Sequence, residues 1–299
     1  MKISPTVVTF CDQIYKLETK VQLTVNGKDA FYLVTEATPF HPVSHIWPDH
    51  PADKGVIILA DGTQLEVQDC LMGAIELSSH TLHIGEQIPV KRDTQGWVFV
   101  VVHCVAIDAD NSKTLETISD VSMVTLQVDQ HYQQALSRGH SAGHLASLAL
   151  NKVLNDDYWR KDADRKDSHG YYDFNSYAQV SSFVTSDTCK DTYRLGKTLR
   201  KRGLNSSAMI ESLATIERAV NDQLSSWLSL GSPVTMQCAG SALTDSRYWR
   251  CDLGESNTAE MPCGGTHVRS LTEFHQITVH ISQLDEQHIE THTLSQSSV

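Results

Sequence analysis

The sequence lacks several features that mark particular classes of protein. Its seven cysteines among 299 residues form no Cys-x-x-Cys pair, and their odd number and scatter fit free thiols in a reducing compartment better than a disulfide framework. No stretch approaches the roughly 18 consecutive apolar residues of a membrane span, and we find no secretory signal. The sequence therefore predicts a cytoplasmic protein without a membrane partner.

Positive charge is also scarce. The chain has 24 Lys and Arg against 36 Asp and Glu, a formal net charge of −12 at pH 7. Such a chain has no overall basic field to attract DNA or anionic lipid, so a nucleic-acid partner would have to meet a local basic patch. With 40% hydrophobic and 20% charged residues, the composition is typical of a folded globular protein of one large or two ordinary domains.

The first 128 residues predict β-strands joined by tight turns. Asn26-Gly27 and Asp61-Gly62 each separate two apolar runs, which is the pattern of a β-hairpin. The unbroken run Trp97–Val102 predicts a strand buried on both faces. We therefore expect a first domain, residues 1–128, built as a small β-barrel or sandwich.

The pattern changes near residue 129 and predicts a mixed second domain, residues 129–299. Small and apolar residues recur at helical intervals between His131 and Asn155. A second helical stripe ends before Gly231; it consists of Met209, Leu213, Ile216, Val220, Leu224 and Trp227. Alternating residues near 249–253 and 277–281 predict strands, and the final QHIETHTLSQSSV is expected to be a frayed tail.

Among the 15 histidines and seven cysteines, two pairs with the same four-residue spacing indicate a metal site. His140-Ser-Ala-Gly-His144 begins a predicted helix, where residues i and i+4 lie about 5–6 Å apart on one face and can share a metal ion. Cys263-Gly-Gly-Thr-His267 places a thiolate and an imidazole on either side of a glycine turn. Three His and one Cys suit Zn²⁺ in kind and number.

The helical pair differs from the thermolysin-type motif. That motif has a Glu after the first His as general base, and this sequence has Ser141. We therefore predict no catalytic side chain beyond the metal and its bound water.

The segments RGHSAGHLAS and MPCGGTHVRSLTEF resemble the H-x3-H and C-x3-H motifs of AlaX-type alanyl-tRNA editing proteins and of the related editing domain of alanyl-tRNA synthetase. Asp129, Arg138 and Glu273 also fall where the family has such residues, and the likeness covers most of residues 15–282.

The resemblance implies an α+β protein with an N-terminal β-barrel and a two-layer editing domain, helices on an antiparallel sheet. It implies ATP-independent hydrolysis, in trans, of Ser- or Gly-tRNA(Ala), with aminoacyl-tRNA as partner. One zinc ion per chain would be held by His140, His144, Cys263 and His267. The hydroxyls of Ser141 and Thr266 would contact the substrate.

One segment departs from the family pattern. Where long members carry a glycine-rich motif, this chain has FHPVSHIWPDH at residues 40–50. The spacing of His41, His45 and His50 resembles a metal site, but the intervening prolines exclude a continuous helix. We predict a polar loop there rather than a second metal.

Basic residues between the two motifs are the candidate tRNA contacts. Lys190, Arg194, Lys197 and Lys201 are predicted to lie along one helical face. A second cluster, Arg160, Lys161, Arg165 and Lys166, is partly neutralised by neighbouring aspartates and ranks below the first.

Two alternatives to a tRNA deacylase stay open at this point. One is a metal-dependent hydrolase of the same fold that acts on a small ester or amide, motivated by the charge of −12 and the missing glycines. The other is a non-catalytic binding protein stabilised by zinc, because four protein ligands normally make a closed structural site.

Overall fold

A computed structural model describes residues 3–28 and 30–298. The strands are β1 (Val7–Val8), β2 (Lys16–Asn26), β3 (Ala30–Thr35), β4 (Ala37–Thr38), β5 (Gly55–Ile58), β6 (Gln64–Val67), β7 (Asp69–Glu76), β8 (Thr81–Ile84), β9 (Trp97–Ala106), β10 (Met123–Val128), β11 (Gln179–Thr185), β12 (Thr188–Arg194), β13 (Val234–Cys238), β14 (Arg247–Cys251), β15 (Ala259–Pro262), β16 (Phe274–Gln283) and β17 (His288–Ser297). The α-helices are α1 (Ser112–Leu115), α2 (Gln130–Asn155), α3 (Phe174–Ala178), α4 (Lys197–Arg202), α5 (Ser206–Glu211) and α6 (Leu213–Leu228). The fold is thus mixed α+β and consists mostly of sheet.

The chain divides into two compact units. Unit 1 runs up to Gln133 and includes the later segment Cys238–Ser246, and unit 2 contains Gln134–Gln237 and the chain from Arg247 onward. None of the described helices is long and apolar enough to span a membrane.

Unit 1 is built on one sheet in the order β6-β5-β10-β2-β3-β9-β7-β8. The β2–β3 and β5–β6 hairpins confirm the turns predicted at Asn26-Gly27 and Asp61-Gly62. Strand β2 pairs with β10 through its first half and with β3 through its second half, with a register shift between Val21 and Leu23. The order ends at β6 and β8, so the hydrogen-bonded sheet described here is open and does not form the expected closed barrel.

The core of unit 1 includes a residue from far along the chain. Alternating residues of the sheet, such as Leu33, Ile57 and Leu126, bury their side chains in one cluster, and Leu243 packs in the same cluster. Backbone bonds from Val8 N to Ser241 O (2.8 Å) and from Leu243 N to Thr6 O (3.1 Å) attach this segment beside β1.

Unit 2 contains an antiparallel sheet in the order β11-β12-β17-β16 and a three-stranded sheet β13-β14-β15. The predicted helix over 131–155 is confirmed as α2. The second stripe forms two helices, because Ser212 leaves helical geometry between α5 and α6; Met209 lies on α5, and the buried face of α6 consists of Ile216, Val220, Leu224 and Trp227.

Two sequence expectations about unit 2 are wrong. The segment expected to be a frayed tail is β17, which pairs with β12 on one side and β16 on the other. Its inward residues are mostly hydroxyl-bearing, Thr291, Thr293 and Ser295, so hydrophobicity alone did not reveal the strand. Lys190 and Arg194 lie on strand β12, not on a helix shared with Lys197 and Lys201.

Candidate metal centre

Unit 2 brings His140, His144, Cys263 and His267 together, although the two pairs are more than 100 residues apart in sequence. One potential ligand atom from each side chain lies within 4.8 Å of those of the other three. The imidazole centroids of His140 and His267 are 4.4 Å apart, and those of His144 and His267 are 5.0 Å apart. The His140 and His267 residues are buried, and His144 and Cys263 are half-buried.

Two glycines let α2 approach the sheet at this point. Gly139 and Gly143 precede the two helical histidines by one residue each. A Cβ on Gly139 would lie 2.6 Å from the carbonyl oxygens of Thr185 and Thr188, and a Cβ on Gly143 would lie 2.7 Å from Cys189 Sγ. The two glycines therefore allow α2 to pack closely against the β11–β12 hairpin. The residue after each glycine, His140 or His144, belongs to the cluster.

The loop that carries Cys263 and His267 is tied to α2 and to β14. Cys263 N donates to Arg247 O at the end of β14 (3.0 Å). Val268 N donates to Ser141 Oγ (3.2 Å), and Ser137 Oγ donates to Thr266 Oγ1 (2.9 Å). These bonds hold both halves of the cluster in one place.

The partners of two imidazoles decide which ring nitrogen faces the cluster. His140 Nδ1 lies 3.3 Å from Thr266 O, which only accepts, so Nδ1 carries the proton and the Nε2 lone pair faces Cys263 in the cluster. His267 Nδ1 lies 3.2 Å from Ser141 Oγ, while His267 Nε2 faces Cys263. A metal-binding His ordinarily donates its second ring N–H to such a partner.

The donor spacing fits a tetrahedral zinc ion. With Zn–N near 2.0–2.1 Å and Zn–S near 2.3 Å, tetrahedral angles separate nitrogen and sulfur by about 3.6 Å. Cys263 Sγ lies 3.5 Å from His140 Nε2 and 3.3 Å from His267 Nε2. The described residues contain this one group of three or more His, Cys, Asp or Glu with metal-binding geometry, so the cluster could hold a metal ion.

The surroundings of the cluster are apolar on one side and open on another. Trp249 of β14 is fully buried, and its ring meets that of His144 edge-on at 5.5 Å. A Cβ added to Gly264, next to Cys263, would meet nothing within 4 Å. Neither Gly264 nor Gly265 has a positive φ, so the loop backbone does not require glycine for its conformation.

The two residues predicted to contact substrate lie inside the packing around the cluster. Ser141 is fully buried, and its hydroxyl is engaged by His267 and Val268. Thr266 is 3% exposed, and its hydroxyl accepts from Ser137. Both side chains contact residues that position the donors.

The four residues predicted to contact tRNA are not on one face of one helix. Lys190 forms an ion pair with Glu290 of β17 (3.1 Å), and Arg194 is exposed at the end of β12. Lys197 and Lys201 are exposed on α4. Folding therefore divides the predicted stripe into a strand pair and a helix pair.

The loop predicted to carry polar histidines is irregular, as expected, but two of its histidines are buried. His41 and His50 are 7% and 3% exposed, with ring centroids 4.3 Å apart. Burial lowers the pKa of His50 to about 4, so this imidazole is neutral at pH 7. The exposed tip of the loop is instead formed by Ile46 and Trp47.

The sequence predicts the four residues that the fold brings together, and it does not predict the residues that support them. Gly139, Gly143 and Ser137 support the cluster without supplying a donor. The spacing of the glycines, one residue ahead of each helical histidine, is a signal that the sequence does contain. No spacing or motif in the sequence indicates that Trp249 packs against His144.

No family model matches the chain. A segment of 101 residues, 34% of the chain, is 29% identical to an alanine–tRNA ligase of Methanosarcina acetivorans, and the match spans 10% of that enzyme's length. The similarity supports a relation between this chain and the alanine–tRNA ligase family over about a third of its residues.

Proposed function

We propose that this protein is a zinc-dependent aminoacyl-tRNA deacylase that hydrolyses mischarged tRNA(Ala), carrying Ser or Gly, in trans. The observation that carries the proposal is the convergence of His140, His144, Cys263 and His267 in a chain similar to an alanine–tRNA ligase. The same resemblance favours cytoplasmic location and one zinc ion per chain.

Each side chain of the centre has a separate role in this proposal. The four donors hold the ion, which when bound acts as a Lewis acid toward the aminoacyl ester. The Thr266 carbonyl keeps His140 in the tautomer that exposes Nε2, and the Ser141 hydroxyl, bonded to His267 Nδ1, orients that ring so that Nε2 faces Cys263. We therefore assign Ser141 and the Thr266 backbone to positioning the ligands, in place of the substrate contacts that the sequence predicted.

The direct test is a deacylation assay with a panel of mischarged tRNAs. We expect the wild-type protein to release Ser or Gly from tRNA(Ala) and to contain about one zinc ion per chain. His144→Ala should lose both properties, since it removes a donor. Ser147→Ala is the matched control, because Ser147 is on the same helix and its hydroxyl donates to the His144 carbonyl (2.9 Å) rather than to a ring of the cluster. Zinc-loaded protein that leaves every mischarged tRNA intact would refute the proposal.

One observation favours a second candidate, a structural zinc site in a non-catalytic binding protein. All four potential donors converge on one point, whereas a catalytic zinc site commonly has three protein ligands and an open position. In that case chelation would unfold unit 2. A deacylase would instead lose activity on chelation and keep most of its fold.

A further inference from the structure

Folding joins two basic runs that lie apart in the sequence. Arg160 N donates to Gly203 O (2.8 Å), Asn205 N donates to Tyr158 O (2.7 Å), and Trp159 forms an isolated β-bridge with Leu204. Segment 160–166 therefore lies directly beside α4. We name the combined set the basic surface; it consists of Arg160, Lys161, Arg165, Lys166, Lys197, Arg200, Lys201 and Arg202.

The basic surface concentrates positive charge in an acidic protein. These two short segments contain eight of the chain's 24 Lys and Arg and only two acidic residues, Asp162 and Asp164. Ion pairs among the described residues engage two of the eight cations, Lys166 with Asp162 (3.3 Å) and Arg202 with Asp164 (3.1 Å). The other six are exposed and form no such pair within the described part of the chain.

Two tyrosines lie among these cations. The guanidinium carbons of Arg165 and Arg202 are 5.3 and 4.8 Å from the centroid of the Tyr177 ring. Lys166 Nζ is 5.1 Å from the centroid of the Tyr172 ring. Both tyrosines are half-buried, so stacking holds these cationic groups at the surface. Basic side chains interleaved with aromatic rings are typical of RNA-binding surfaces.

The cost of assembling this charge indicates a polyanionic partner. The Debye length in physiological salt is about 8 Å, so neighbouring cations on one small surface repel each other. Backbone hydrogen bonds between two distant segments nevertheless hold them together. A row of phosphates would relieve this repulsion and release its own counterions.

We propose that the basic surface binds the phosphate backbone of RNA and is the main tRNA-docking surface of this protein. The proposal rests on the proposed function and changes its predicted contacts. Lys197 and Lys201 belong to the surface, together with the 160–166 cluster that the sequence ranked lower. Lys190 is not counted in it, because Lys190 lies on strand β12, outside the two segments, and pairs there with Glu290 of β17.

The test compares two triple variants of the full chain. The surface variant is Lys197→Gln, Arg200→Gln, Lys201→Gln, and the control is Lys16→Gln, Lys91→Gln, Lys113→Gln, three exposed lysines of unit 1. Both variants remove three positive charges. Binding of a fluorescein-labelled, unacylated tRNA transcript is followed by anisotropy over a series of KCl concentrations, after circular dichroism and zinc content have shown that both variants are folded.

We expect the surface variant to bind the transcript about tenfold more weakly or worse, and the slope of log K against log salt to shrink by about 2 to 3. The control should match the wild type in both measurements. Equal losses in the two variants would overturn the proposal, since only net charge would then matter. Polyglutamate competing as well as unlabelled tRNA at equal charge would also overturn it and indicate an acidic protein partner.

A deacylation assay separates this proposal from the proposed function. If the wild type hydrolyses mischarged tRNA and the surface variant raises KM while kcat stays the same, both proposals stand. Transcript binding through the basic surface without deacylation by the zinc-loaded wild type would refute the function alone. Deacylation that is unaffected in the surface variant would refute the docking surface alone.

Discussion

Asp53 is a fully buried carboxyl group in unit 1. Its Oδ2 accepts the backbone N–H of His41 (2.7 Å) and the side-chain amide of Gln133 (2.5 Å). Its Oδ1 is buried without a hydrogen-bond partner among the described residues. Burial disfavours the charged form and raises the pKa of Asp53 to about 7, and the nearby Asp129 charge adds to the effect.

This raised pKa predicts a pH-dependent stability. Between about pH 4 and 7 the unfolded chain loses the Asp53 proton while the native protein keeps it, so the free energy of unfolding falls as pH rises through this window. We expect Asp53→Asn, which resembles the protonated acid, to remove this loss. Its advantage over the wild type should be near zero at pH 4, grow by at most about 1.4 kcal/mol per pH unit and level off above pH 7.

Urea denaturation at several pH values measures this difference. Two of the histidines buried in unit 1, His50 and His103, have pKa values lowered to about 4. They destabilise the protein as the pH falls, but they are common to both proteins, so their effect cancels. Asp110→Asn, an exposed carboxyl in the same unit, should follow the wild type. A constant offset between Asp53→Asn and the wild type at all pH values would contradict the argument.

Removing the hydroxyl oxygen of Ser141 tests whether this atom positions His267 in the candidate metal centre. Its Oγ is the partner of His267 Nδ1, and outer partners of this kind typically change metal affinity by about 10–100-fold. We expect Ser141→Ala to lower zinc affinity within this range and Ser141→Thr, which keeps a hydroxyl, to restore most of it. Competition with a chromophoric chelator measures the affinity, and Ser147→Ala is the control. An equal effect of the two alanine variants would count against a positioning role.

At the candidate metal centre, the sequence predicts the potential ligands but not the residues that position them. The four donors follow from two spacings, because helical periodicity and a short turn place their side chains without knowledge of the rest of the fold. The buried Asp53 and the hydroxyl of Ser141 could not be assigned in the same way. Their roles depend on partners such as Gln133 and His267, which are 80 and 126 residues away.

The packing of α2 against the β11–β12 hairpin depends on the absence of a side chain at Gly139 and at Gly143. Replacing Gly by Ala inside a helix ordinarily stabilises it by about 1 kcal/mol. Here we expect both Gly139→Ala and Gly143→Ala to destabilise unit 2, because the new Cβ atoms would overlap Thr185 O and Cys189 Sγ.

The two glycine variants should differ in how they are rescued. Cys189→Ala removes the sulfur that a Cβ at position 143 would meet, so the double variant should recover part of the lost stability. Gly139→Ala meets backbone oxygens and should gain nothing from Cys189→Ala. Thermal unfolding of the singles and doubles measures this coupling, and stabilisation by either single variant would contradict the packing described.

Helices and strands could be predicted where the hydrophobic pattern of their own residues has a clear helical or strand character. Helix α2 and strand β9 have strong patterns, and both were found where the sequence placed them. Strand β17 and the Lys190–Arg194 segment were misjudged because their conformation is decided by pairing with each other. Taken without its partner, a strand that buries threonines resembles an unstructured tail, and a strand that exposes a lysine and an arginine resembles a basic helix.

For the whole molecule, the net charge of −12 is unevenly divided. Unit 1 has 8 Lys and Arg against 18 Asp and Glu, whereas unit 2 has 16 against 18. The acidity that argued against an RNA partner therefore belongs almost entirely to unit 1. Unit 2, which contains both the candidate metal centre and the basic surface, is close to neutral.

Unit 1 is not one continuous segment of the chain. The sequence placed one boundary at residue 128, but segment Cys238–Ser246 belongs to unit 1. Leu243 is 7% exposed within the core of that unit. A hydrophobic pattern could not reveal this, because the segment contributes one large apolar side chain between small and polar residues.

Leu243 should therefore stabilise residues that precede it by more than 200 positions. We expect Leu243→Ala to cost about 2–4 kcal/mol and to speed hydrogen exchange at Val8, whose amide donates to Ser241 O (2.8 Å). Leu230→Ala, at a leucine of unit 2 that is 50% exposed, should leave the Val8 amide protected. Exchange measured by NMR distinguishes the two variants. If Val8 kept its protection in Leu243→Ala, segment 238–246 would not be an integral part of the first unit, and a fragment ending at Gln133 would be expected to fold without it.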